Sequence, residues 1–179
     1  PRLAPIVVST KDTRNSSNTV FEILKQKESI LQIYQTFALI LPSLMVFALQ
    51  GCDVEIMPHY KQAMKALRLG HAPGGWRFSK LLGYDILRIG GNSLFSELYS
   101  TFGLYNKLTF FTEDCPDSSE HILQGPVSAT SVIIDILKGD DPLTKYNQLS
   151  SMYQKLTDSI ENTLNYLSET NPKCPAQTE

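Results

Sequence analysis

One apolar run of twenty residues, ILQIYQTFALILPSLMVFAL at 30–49, constrains this sequence most strongly. Twenty residues is the length of a helix that spans a membrane. However, Gln32 and Gln35 lie in its first half, and Pro42 interrupts it. Because the chain has a single run of this kind, we expect the central helix of a soluble fold, surrounded by neighbouring helices. A membrane is therefore not an expected partner.

Length and composition indicate a single folded domain. The chain has 179 residues, 42% of them hydrophobic and 19% charged, which is enough to bury a core. The formal net charge is −2, and like charges form no run. Phosphate binding requires clustered positive charge, so nucleic acid is not an expected partner. We expect an N-terminal arm over 1–17, a helical domain over 18–170 and a polar tail over 171–179.

The C-terminal region predicts a long amphipathic helix. Asp141 is placed as its N-cap and Pro142 as its first residue, and the helix should end before Pro172. Apolar residues recur at intervals of three and four, so they share one face of the helix. This stripe must be covered by the bundle or by a second copy of the chain, which predicts a monomer or a homodimer. The stripe consists of Tyr146, Leu149, Tyr153, Leu156, Ile160, Leu164 and Leu167.

Helices are also predicted before this region. Thr19 and Glu22 have the spacing of a capping box, and Asp53 is a candidate cap for a helix that Pro58 enters or restarts. In the glycine-rich stretch 70–93, GHAPGG is interpreted as a turn and WRFSKLLGYDILRI as a helix. The glycines lack the spacing of dinucleotide-binding and phosphate-binding loops.

Residues 107–126 allow two folds. Polar and apolar residues alternate in KLTFFT, so 107–112 could form a strand that pairs with residues 5–10. After it, a short helix is expected over 117–124, with a break at Gly125-Pro126. We predict an all-α, single-domain bundle of about six helices, with a small α+β domain as the alternative.

No catalytic or metal-binding motif is complete. None of His59, His71 and His121 has a histidine partner at the i, i+4 spacing of a helical zinc site, so we expect solvated or capping histidines. Cys115, His121 and Asp117 could form a nucleophilic constellation, but the neighbouring acidic residues oppose formation of the thiolate. We therefore predict no catalytic residue, no metal and no cofactor.

The cysteines leave the compartment open. Cys52, Cys115 and Cys174 share no CxxC spacing, and an odd number is not a disulfide framework. One bridge between any two of them remains compatible with the sequence. We favour a cytoplasmic location over secretion.

Trp76 and Arg77 are the candidate partner-binding residues. Trp76 is the only tryptophan, and a tryptophan at a helix start can anchor a partner as well as close the edge of a core.

These observations predict a non-enzymatic helical module that binds or regulates another protein. The alternatives are a carrier of a hydrophobic small molecule between apolar helices and an enzyme whose site is dispersed along the sequence.

Overall fold

A computed structural model describes residues 16–105 and 107–172, which form eight α-helices, one 3-10 helix and no strand. The all-α prediction is confirmed, and the α+β alternative is not supported because residues 107–114 are helical. Residues 5–10, most of the predicted arm and most of the tail lie outside the described ranges. The elements are α1 (Ser16–Lys25), α2 (Lys27–Ala48), the 3-10 helix (Val54–Ile56), α3 (Tyr60–Arg68), α4 (Ala72–Ile89), α5 (Ser93–Tyr105), α6 (Lys107–Asp114), α7 (Pro116–Leu137) and α8 (Pro142–Thr170).

The helices α2, α4, α7 and α8 enclose the main core. α8 packs against α2 and α7, and α4 packs against α7 and α2. α2 and α8 are antiparallel: Lys27 Nζ donates to Asn165 Oδ1 over 2.7 Å near one end, and the Tyr153 hydroxyl lies 3.3 Å from Met45 Sδ nearer the other. Outside this core, α1 packs against α6, while α3 and α5 both pack against α4.

The apolar run forms α2, but only one side of this helix is buried. Tyr34, Leu41 and Met45 lie in the core. On the opposite side, Leu39 is 75% exposed and Phe47 is 66% exposed. The expectation that neighbours surround the helix is therefore wrong. Within the described ranges, α2 is the one helix long and apolar enough to cross a membrane, and 44% of its apolar window is buried inside the fold.

The turn predicted over GHAPGG is confirmed at Gly70, which has a φ of 68° just after α3, but it is wrong from Ala72 onward, where a helix begins. α4 starts at Ala72, and His71 caps it by accepting the Gly74 N–H on Nδ1 at 3.1 Å. A Cβ added to Gly75 would lie 2.9 Å from Leu67 Cδ2 of α3. Glycine thus allows α3 and α4 to approach closely, a tertiary role that local turn patterns do not reveal.

α7 continues through Gly125 and Pro126, where a break was predicted. Pro126 has no N–H and cannot bond to the Ile122 carbonyl four residues earlier. Instead, that carbonyl lies 3.2 Å from Thr163 Oγ1 of α8, whose one hydroxyl hydrogen it shares with the Ser159 carbonyl at 2.9 Å. Packing of α7 against α8 therefore satisfies a backbone group that proline leaves without a helical partner.

The predicted C-terminal helix is confirmed as α8. Asp141 Oδ2 caps it by accepting the Thr144 N–H at 2.8 Å, and the helix ends at Thr170. Tyr146, at the start of the predicted stripe, is 41% exposed. The other members of the stripe are buried: Leu149, Tyr153, Leu156, Ile160, Leu164 and Leu167.

Two other predicted helix starts differ from the structure. α1 begins at Ser16, so Thr19 lies inside the helix and is fully buried. Asp53 does act as a cap, accepting the Glu55 N–H at 3.0 Å, but it caps only the 3-10 helix. α3 then restarts beyond Pro58.

Among the residues whose burial the structure describes, three tyrosines are buried in the core, Tyr34, Tyr99 and Tyr153. Burial raises the pKa of each phenol, because a buried phenolate would lose its hydration. Nearby phenols raise the pKa of Tyr34 and Tyr153 further. The Tyr153 hydroxyl finds only a weak acceptor, the Met45 thioether.

Replacing Thr163 tests whether its hydroxyl stabilises the Ile122 carbonyl that Pro126 leaves without a helical partner. We expect Thr163→Val to lower the free energy of unfolding by about 1 to 3 kcal/mol, because the buried Ile122 carbonyl loses its hydrogen-bond donor. In a Pro126→Ala background the new N–H can bond to this carbonyl, so the same change should cost less. Urea unfolding of all four proteins measures the difference. Equal costs in both backgrounds would show that Thr163 stabilises the fold in another way.

Alkaline pH should unfold the protein through the buried tyrosines. In the unfolded chain a tyrosine ionises at about pH 10. In the folded protein the raised pKa keeps the three buried phenols protonated at this pH. Above pH 10 the unfolded state therefore holds fewer protons, and stability falls by up to about 1.4 kcal/mol per pH unit for each tyrosine. Lys80, whose pKa is lowered by burial, acts in the opposite sense, but its contribution ends once the unfolded lysine has titrated near 10.5.

Urea midpoints measured at increasing pH, together with absorbance near 295 nm, test this expectation. Tyr153→Phe should reduce the alkaline slope by about one third, since one of three equivalent groups is removed. Tyr146→Phe, at an exposed position on the same helix, is the matched control and should leave the slope unchanged. Ionisation of all tyrosines near pH 10 without unfolding would contradict the prediction.

Candidate functional site

A groove of about 890 Å³ lies between α3, the first half of α4 and the end of α6. Its apolar lining includes Leu69, Phe78 and Leu81. Leu69 is 71% exposed, so apolar surface faces solvent here. Exposed apolar surface with a polar border is typical of interaction sites. The polar side chains in the lining are Gln62, Lys65, His71, Arg77, Thr112 and Glu113.

Basic side chains lie on the α3 side of this groove, where Lys65 is part of the lining. Lys61, Lys65 and Arg68 are spaced four and three residues apart on α3, so they share a face, and all are exposed. Among the described residues, none of the three has an acidic partner within ion-pair distance. The N-terminus of α4, with Pro73 and Gly74 in the lining, adds the positive end of a helix dipole. The groove therefore favours a negatively charged ligand.

The two predicted partner-binding residues lie in different environments. Arg77 is exposed in the groove and forms an ion pair with Glu113 of α6, which fixes one wall. Trp76 is only 2% exposed and stacks beside Tyr34 in the core. A partner on the surface of this structure can therefore contact Arg77 but not the indole.

A second polar region lies inside the bundle, behind the groove. Lys80 is 6% exposed, and its Nζ lies 4.1 Å from the centre of the Trp76 ring. The same Nζ donates to Thr109 Oγ1 at 3.0 Å. Burial lowers the pKa of Lys80 well below its ordinary value, while Glu113 acts in the opposite direction. Both Trp76 and Lys80 line an internal cavity of about 50 Å³.

The three histidines do not meet in one site. His59 Nδ1 lies 2.8 Å from Asp85 Oδ2, which also accepts the His59 backbone N–H at 3.0 Å, so the pair links the start of α3 to α4. His71 is the predicted kind of capping residue, and His121 is exposed beside the Tyr166 ring. Over 16–105 and 107–172, no group of three His, Cys, Asp or Glu side chains could hold a metal ion.

Cys115 is disulfide-bonded and fully buried, so the nucleophilic constellation with His121 and Asp117 cannot form as sketched from the sequence. Its sulfur is already in a covalent bond, and no thiolate is available for attack. Cys52 is free and exposed. Cys174 lies outside the described residues.

The net charge of the whole chain does not reveal the local excess of basic residues near this groove. Between Glu55 and Asp85 the sequence has five basic residues and no acidic one, in a chain whose net charge is −2. A segment-by-segment count of charge would have detected it. The contribution of Glu113 could not be predicted in this way, because it comes from a distant helix.

Comparison with known proteins adds no assignment. The sequence matches no protein-family model, and neither the curated proteins nor the solved structures yield a significant match.

Proposed function

We propose that this chain is a non-enzymatic protein-interaction module, which binds an acidic segment of a partner protein in the groove between α3, α4 and α6. The observation that carries the proposal is the combination of exposed Leu69 with the unpaired basic side chains of α3. Apolar contact supplies affinity at such a surface, and complementary charge supplies orientation and rate of association.

The spacing of the basic residues suggests the form of the partner segment. Lys61 and Arg68 are seven residues apart, which is about 10 Å along a helix. A helical segment with carboxylates at similar intervals and an apolar side chain between them would match both the charges and Leu69. Glu113 would disfavour an acidic group next to Arg77, so the partner's carboxylates should lie along α3.

The other two functions have less support. The internal cavity of about 50 Å³ is well below the roughly 300–1,000 Å³ of typical small-molecule pockets, so a lipid or pigment does not fit in it. For an enzyme, the oriented pair His59–Asp85 is the best starting point. Neither residue lines the groove, and the pair already has a structural role at the start of α3.

The disulfide at Cys115 also bears on where the module acts. Disulfides persist in oxidising compartments and are rare in the cytosol. We therefore propose an extracytoplasmic setting, in place of the cytoplasmic location favoured by the sequence.

Binding of labelled peptides to the full chain tests the proposal. We expect an acidic amphipathic helical peptide to bind, and the same peptide with lysine at every acidic position not to bind. Lys65→Glu should weaken binding about tenfold, which corresponds to about 1.4 kcal/mol. Lys155→Glu, an exposed change on α8, is the control. Fluorescence anisotropy at fixed salt gives each Kd.

The apolar half of the site needs its own pair of variants. Leu69→Asp should weaken binding of the acidic peptide, whereas Leu143→Asp should not, although the two leucines are 71% and 68% exposed. Equal effects at Leu69 and Leu143 would place the binding surface elsewhere. Tighter binding of a single-stranded oligonucleotide than of the peptide would overturn the assignment of a protein partner.

A further inference from the structure

A pocket of about 430 Å³ lies where α2 and α7 end and α8 begins. Its wall includes Cys52, a free and exposed cysteine in the loop that follows α2. The Cys52 N–H donates to the Leu49 carbonyl at 3.1 Å, so the loop is held against the end of α2. The pocket shares no lining residue with the groove between α3, α4 and α6, so the two surfaces are separate.

Lys145 of α8 is a buried lysine on the wall of this pocket. The residue is only 9% exposed, and its side chain runs beneath the end of α7, where a Cβ on Gly139 would lie 3.5 Å from Lys145 Cγ. Its Nζ has no hydrogen-bond or ion-pair partner among the described residues. The Nζ also stays open to the pocket, because it is absent from the enclosed, unpartnered polar atoms of these residues. Since a buried ammonium is costly to leave unpaired, Lys145 favours an anionic group in the pocket.

An acidic side chain adds the opposite charge to the same wall. Asp140, between α7 and α8, is exposed in the pocket and has no ion-pair partner in the described part of the chain. The other charged side chains of the lining are engaged: Lys138 lies 3.8 Å from Glu55, and Asp53 caps the 3-10 helix. Lys145 and Asp140 therefore match a ligand that carries both a carboxylate and an ammonium group.

The Cys115 disulfide indicates which reagents the Cys52 thiol meets. Disulfides persist in oxidising compartments. There, an exposed free thiol exchanges with small-molecule disulfides, and glutathione forms a reversible cap of this kind. Glutathione has two carboxylates and one ammonium group beside its sulfur, so one molecule can satisfy Cys52, Lys145 and Asp140 together.

We propose that Cys52 is a site of reversible S-thiolation, at which a zwitterionic thiol of the glutathione class forms a mixed disulfide and occupies this pocket. The Cys52 thiolate attacks one sulfur of glutathione disulfide. A bond forms between Cys52 Sγ and that sulfur, the original S–S bond breaks, and the second glutathione leaves as a thiolate that takes up the proton released by Cys52. Lys145 binds a carboxylate of the attached glutathione, and Asp140 binds its ammonium group.

The size of the pocket agrees with this ligand. Its volume of about 430 Å³ falls within the roughly 300–1,000 Å³ of typical small-molecule pockets. The proposal rests on the oxidising setting inferred above, but it does not depend on partner binding in the groove. The two proposals fail separately, because the peptide assay does not involve Cys52.

Reaction of the full chain with glutathione disulfide tests the site, followed by intact mass without a reducing agent. We expect one glutathionyl group per chain, on Cys52. Hydroxyethyl disulfide, which carries no charge, is the comparison reagent, and the chain unfolded in urea gives the intrinsic ratio of the two rates. Folding should raise the preference for glutathione disulfide about tenfold above this ratio. Equal ratios in the folded and unfolded chain, or a dimer linked through Cys52 in place of the adduct, would overturn the proposal.

Lys145→Gln should return the preference to that of the unfolded chain, because a neutral side chain cannot pair with a carboxylate. Lys155→Gln, at an exposed position of α8, is the control and should keep the preference of the parent. Asp140→Asn changes an exposed residue, so it tests the site even if Lys145→Gln does not fold. Loss of a negative charge would by itself favour the anionic reagent, whereas loss of the ammonium contact should lower the preference. An unchanged or higher preference in Asp140→Asn, or an unchanged one in folded Lys145→Gln, would refute the proposal.

Discussion

The antiparallel packing of α2 against α8 is the contact on which the rest of the structure depends. In this contact, the regular apolar stripe of α8, which includes Leu156 and Ile160, covers the inner face of α2, the least polar of the described helices. Each helix alone would expose its apolar side to water, so neither is stable without the other. α4 and α7 complete the enclosure, and the remaining helices pack around it.

Several polar side chains lie in the core of this arrangement. Three tyrosines and Lys80 lie where aliphatic residues would give a simpler core. Burial holds the tyrosines neutral, and it weakens the charged form of the lysine. Polar groups at such depth are costly unless they are satisfied, and among the described residues the Trp76 Nε1 and the Ser79 Oγ are buried without a hydrogen-bond partner.

The groove has a different origin, in the close approach of α3 and α4. Gly75 of α4 has no side chain that would clash with Leu67 of α3. His71 caps the exposed start of α4. Lys65 of α3 and Arg77 of α4 then line the same groove. The proposed recognition of an acidic partner segment therefore depends on this helix packing as well as on the basic side chains.

The sequence by itself determined the helical class and the C-terminal helix. Periodicity of three and four, the Asp141 cap and the following proline are local signals, and local interactions are sufficient to place them. Tertiary structure decided the course of α7, because the Ile122 carbonyl left unpaired by Pro126 lies within hydrogen-bonding distance of Thr163, forty-one residues after Ile122. It also decided that Trp76 is buried and that Glu113 of α6 closes the groove beside Arg77. Such contacts join residues far apart in the chain, and no local pattern encodes which distant helix will supply them.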